Sequence, residues 1–98
     1  MSDAQTIMHR MQSVEAKAKH ANAVAKARGL LRDPQYAQIL EEAEQLGKCA
    51  ELFATTAFNA SYHLDARLAY PARLAELKGQ LDSVDSLLGR FMTEHDNN

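Results

Sequence analysis

The sequence predicts an all-α fold: an elongated antiparallel bundle, in essence a helical hairpin with a third helix, built around a long central helix. Three observations point there. Alanine and leucine, 17 and 12 of the 98 residues, dominate the apolar set, while Val and Ile are scarce and Trp is absent; that bias favours helix over strand. Apolar residues recur at steps of three and four along most of the chain, without strand-like alternation. The only two prolines, Pro34 and Pro71, stand where helices can begin.

The first helix is expected over about residues 3–30. Ile7, Met11, Val14, Ala18, Ala21 and Ala25 step by 4, 3, 4, 3 and 4, with Met8 and Val24 at the edges of the stripe. From Ala16 to Ala27 the segment is alanine on nearly every side, which lets a neighbour approach toward the low end of the usual ~8–10 Å axis separation. Arg32-Asp33-Pro34 then reads as an N-cap aspartate followed by proline at the first helical position.

The second helix is expected over about residues 34–69. Tyr36, Leu40, Ala43, Leu46, Ala50 and Phe53 continue through Ala57, Ser61, Leu64 and Leu68 without a break in period. One uninterrupted helix of that length would be roughly 50 Å long. The residue before a proline is pushed out of the α region, so Tyr70-Pro71 reads as the next break. The third helix, about 71–92, carries Leu74, Leu77, Leu81, Val84, Leu88 and Phe91 at strict a/d heptad spacing. Gly79 and Gly89 fall off that seam, each at a cost of up to ~1 kcal/mol in propensity. One helical domain thus spans 1–93, and residues 94–98 read as a frayed tail.

Composition excludes several classes. A hydrophobic fraction of 46% with 24% charged residues is that of a globular domain, and no apolar run reaches the ~18 residues of a membrane span. Cys49 is the only cysteine, so no intramolecular disulfide exists; with no secretory-type leader in the first residues, a reducing, cytoplasmic location is expected. Residues 1–33 carry six Lys/Arg against three Asp/Glu, and residues 34–65 one Lys against five Asp/Glu. A basic first helix beside an acidic second one is the expected pairing, worth under ~1 kcal/mol per exposed pair.

A middle helix too long for its neighbours to sheath leaves apolar surface open. It also bears a second seam, Cys49, Leu52, Thr56, Asn59, His63, Ala66 and Tyr70. A homo-oligomer packed in coiled-coil fashion is therefore expected, with Thr56, Asn59 and His63 as polar seam residues that fix register or line a ligand site. The function expected first is a small adaptor, inhibitor or chaperone-like interaction module. Tyr36 and Leu40 at one end, and Leu64, Leu68 and Tyr70 at the other, would offer an apolar groove to a protein partner.

Two alternatives remain. One is a small-molecule binder or enzyme with a pocket at an oligomer interface near Asn59 and His63. The other is a nucleic-acid-associated protein using Lys17, Lys19 and Lys26; these flank the apolar stripe instead of gathering on one solvent face, so nucleic acid is not expected. No catalytic, cofactor or metal site is expected. His63, Asp65 and Arg67 diverge around a helix. Cys49 and His63 are roughly 21 Å apart along one helix, and no Glu has a His three residues on, as di-iron bundles require. In size and helical-hairpin build the chain is similar to many small secretion chaperones and phage or plasmid regulators, and no motif selects among them.

Overall fold

The computed structural model describes residues 3–95. Three helices make up the fold: α1 (Asp3–Ala27), α2 (Pro34–Asn59) and α3 (Leu64–His95). No strand occurs among the described residues.

Local chemistry explains the first corner. Gly29, at φ +68°, closes α1. The Leu30 amide donates to the Ala25 carbonyl at 2.8 Å and the Gly29 amide to the Lys26 carbonyl at 3.4 Å. That pair is a Schellman cap, which satisfies carbonyls the helix end would orphan. α1 therefore ends at Ala27, slightly before the expected residue 30. The Asp33 carboxylate then accepts from the Gln35 amide at 2.9 Å, with Pro34 opening α2, as the sequence suggested.

The second corner lies elsewhere than expected. α2 stops at Asn59, the chain turns through residues 60–63, and α3 runs from Leu64 straight through Pro71. The middle helix is thus 26 residues long and the third 32; the long helix is α3, not α2. Apolar period could not reveal this turn. The Asn59 carbonyl accepts from both the Tyr62 and the His63 amides at 2.9 Å, so the reversal uses about one helical turn of chain and the spacing passes through it without a phase shift. Pro71 lacks the amide that would reach the Arg67 carbonyl. Both residues are exposed.

α3 is the spine of the molecule. It lies along α2 over much of its length and also carries α1, whereas α1 and α2, though consecutive, barely touch. Leu77, Leu81, Val84, Leu88 and Phe91 are fully buried, so the a/d seam expected of this helix is the core. α2 supplies Tyr36, Ile39, Leu46 and Phe53; α1 supplies Ile7, Val14, Ala21, Val24 and Ala25. Ile39, not Leu40, fills the seam, because a residue three or four after Tyr36 fits the period equally and only one can face α3.

Charges pair accordingly. Arg10 bridges to Asp82, and Lys17 to Asp85 at 2.6 Å, so basic α1 is matched to α3 and not to acidic α2. Glu42 of α2 accepts from Gln80 Nε2 at 2.6 Å and faces Ser83 Oγ at 3.5 Å. The chain measures 51 × 26 × 15 Å with a radius of gyration of 15.5 Å, against about 13 Å for a compact globule of this size. Of the expected frayed tail, Glu94 and His95 belong to α3. His95 is half-buried, its ring 4.8 Å from that of Phe91 and its Nε2 3.3 Å from Gln35 Oε1. Residues 96–98 lie outside the described residues.

Candidate functional site

The separation of α1 from α2 leaves a groove between them, floored by α3. Two adjoining hollows of about 280 and 360 Å³ share Met11 and Glu15. The first is walled by Val14 and Ala18 of α1 and by Ala43, Leu46 and Gly47 of α2, over Val84. The second is walled by Ile7, Met8 and Gln12 and by Ala50, Phe53 and Ala54, over Leu77. The α2 wall is a ladder of small residues at three- and four-residue steps, Ala43, Gly47, Ala50 and Ala54. A helix laid there could approach closely. Met8 on the opposite lip is 61% exposed; methionine adapts its shape to irregular apolar partners. The hollows run from Ala43 to Ala54, roughly 16 Å or three helical turns.

A second apolar surface surrounds the α2–α3 turn. Phe58, Tyr62, Leu64 and Leu68 are 64–72% exposed, and the Phe58 and Tyr62 rings lie 6.0 Å apart. Ile7, Phe53 and Leu77 meet at one level of the bundle. α1 continues only one turn beyond that level to Asp3, while the α2–α3 hairpin runs on to its turn. The tip therefore stands clear of α1.

The residues expected to meet a partner are distributed unevenly over these surfaces. Leu64 and Leu68 are exposed at the tip, on α3 and not on α2. Tyr70 is half-buried, its ring 5.2 Å from that of Phe53 inside the hairpin. Leu40 is 51% exposed on α2. Tyr36 is a core residue and no part of an open groove. It is 3% exposed, its hydroxyl donates to Asn22 Oδ1 at 2.7 Å, and its ring lies 5.6 Å from that of Phe91. Burial pushes its phenol pKa above the ordinary 10.0.

The polar seam is cut by the turn. Thr56 and Asn59 are half-buried near the end of α2, and His63 is exposed in the connection, so the three do not line one uninterrupted helix. Neither Asn59 nor His63 borders the groove. Among the described residues no three His, Cys, Asp or Glu side chains gather as metal ligands, and no helix is long and apolar enough to cross a membrane. No protein-family model, curated protein or solved structure matches the chain.

The groove residues Gly47 and Ala54 fell outside the expected stripe because small residues carry little hydropathy, while Ala43 and Ala50 stood in it as core positions. Their common spacing on the side of α2 next to the buried seam was the available signal. Phe58 was the other signal missed: a large aromatic outside the expected core stripe.

Proposed function

We propose that this chain is a small helical interaction module whose α1–α2 groove receives an amphipathic helix from a partner protein, completing a four-helix arrangement over α3. One observation carries the proposal: an apolar trough three turns long, with small residues on one wall, methionines on the other and the buried face of α3 beneath. Three helices that surround such a trough lack only a fourth to close the core. Helix-in-groove recognition reads apolar anchors at i, i+3/i+4 and i+7, and the small wall selects large side chains at those anchors.

Charge narrows the occupant. Glu15 lines both hollows, and Glu44 and Glu51 stand one residue after Ala43 and Ala50 on the exposed side of α2. Lys19 and Lys48 pair with Glu15 and Glu44 at 3.8 and 3.9 Å across exposed helix surface, which leaves Glu51, among the described residues, as the uncompensated acid of this rim. The favoured partner helix carries Leu, Met or Phe on one face and Lys or Arg at its flanks.

A displayed library of amphipathic helical peptides of this design supplies the probe. Selected peptides are expected to shift the amide resonances of Met11, Ala50 and Ala54, and Ala54→Trp, which fills the trough, to weaken them at least about tenfold with helicity unchanged. Selection of no binder, or of binders that map away from the trough, would overturn the proposal. A ligand site near Asn59 and His63 has less support, since neither borders a hollow; basic α1 as a nucleic-acid surface has less again, since Arg10 and Lys17 are engaged by α3.

A further inference from the structure

Independently of the groove, we infer that the α2–α3 tip is a homodimer interface: two copies pack their protruding hairpins side by side about a two-fold axis, with Phe58, Tyr62, Leu64 and Leu68 at its centre. These four side chains fall within residues 58–68 and are 71%, 72%, 64% and 71% exposed. Exposed apolar residues are usually scattered singly, whereas here two pairs one helical turn apart, Phe58 with Tyr62 and Leu64 with Leu68, flank one tight turn, and such a grouping points to an interface. Aromatic side chains carry about 150–250 Å² each, so the four present on the order of 500 Å² per copy. Two copies meeting there would bury on the order of 1,000 Å², and a polar rim would bring the contact into the ~1,200–2,000 Å² range of stable interfaces.

The charges at the tip select a second copy over other occupants. Asp65 and Arg67 are both exposed, of opposite sign, and two residues apart at the start of α3. Neither forms an ion pair among the described residues. On the α3 wheel Asp65 and Arg67 diverge to opposite flanks of the Leu64–Leu68 stripe, so a two-fold axis running along that stripe sets Asp65 of one copy beside Arg67 of the other, twice. A lipid surface would call for a basic cluster around the aromatics, and one arginine beside one aspartate does not provide it. The paired hairpins would form a four-helix layer, which removes the tip from water while leaving both α1–α2 grooves open. Polar Thr56 and Asn59 would stand at its rim.

The test is sedimentation velocity of the full chain at micromolar concentration. A dimer is expected, and Phe58→Lys combined with Leu64→Lys should return a monomer of unchanged helical circular dichroism. Arg67→Glu alone should weaken the dimer about tenfold or more by setting like charges together; adding Asp65→Arg should restore it. A monomeric wild type, a dimer indifferent to the tip substitutions, or failure of the charge swap to restore association would each overturn the inference. None of these outcomes bears on peptide binding in the groove, so the two proposals fail separately.

Discussion

The Tyr36 hydroxyl donates to Asn22 Oδ1 at 2.7 Å, joining the first turn of α2 to α1 five residues before its end. It is a specific polar tie between two helices that otherwise barely touch. Tyr36→Phe keeps the ring against Phe91 and removes only the hydroxyl. A loss of about 0.5–1.5 kcal/mol is expected, read as a lower urea midpoint with unchanged slope. An unchanged midpoint would mean that water replaces the bond without cost.

The same hydroxyl sets a limit at alkaline pH. Burial raises the Tyr36 phenol above the usual 10.0, because the phenolate would lose its hydration. The sign follows from linkage. In the unfolded chain the phenol ionises near its ordinary value, and in the fold only at higher pH. The stability this provides is complete below pH 10 and is lost as pH rises through the folded value. Melting temperature should fall more steeply above pH 10 in the wild type than in Tyr36→Phe. Parallel curves for the two proteins would contradict the assignment.

Leucine truncations should separate core from surface. Leu81 is fully buried, and Leu68 is 71% exposed. Leu81→Ala is expected to cost about 2–5 kcal/mol through lost burial and a cavity, a large part of the ~5–15 kcal/mol that holds a domain together. Leu68→Ala should move stability by less than about 0.5 kcal/mol when measured at concentrations where the chain is monomeric. Comparable losses at both positions would place Leu68 in a packed environment.

How far the sequence could be read depended on whether a feature was local. Asp33-Pro34 cap α2 through bonds that span two residues, and Leu77 to Phe91 repeat one strict a/d seam that is buried throughout; both were legible. Ile39 and Leu40 fit the same period, and only the orientation of α2 on α3 decides between them. The turn at residues 60–63 was hidden because it spends one helical turn of chain, and Pro71 drew the break toward itself. Of the expected partner surface, Leu64 and Leu68 are exposed, while Tyr36 is buried. The α1–α2 groove was not legible at all, since it follows from two sequence neighbours leaning on a third helix instead of on each other.

The four glycines divide by backbone geometry. Gly47, Gly79 and Gly89 lie inside helices, and an added Cβ would meet nothing within 4 Å. Replacing each with alanine should stabilise the chain by about 0.5–1 kcal/mol, the entropy a helical glycine gives up. Gly29 also has open space but sits at φ +68°. Gly29→Ala should destabilise by about 1–2 kcal/mol, since a Cβ strains the left-handed conformation on which the Schellman cap depends. Thermal melts of the four variants check this, and a stabilised Gly29→Ala would refute the cap's role.

Pro71 offers the sharpest contrast between local rule and tertiary outcome. It is the eighth residue of α3, and a proline there cannot donate the helical bond to the carbonyl four residues back, that of Arg67. The helix nevertheless continues, because the residues beyond it bury Leu77 to Phe91 and those before it hold Tyr70 against Phe53. Packing on both sides outweighs a local penalty of about 3 kcal/mol. Pro71→Ala should recover much of that penalty, raise the melting temperature and increase amide-exchange protection between Leu68 and Leu74. If protection at those amides does not rise, the proline is already accommodated without strain and the helix there is held by packing alone.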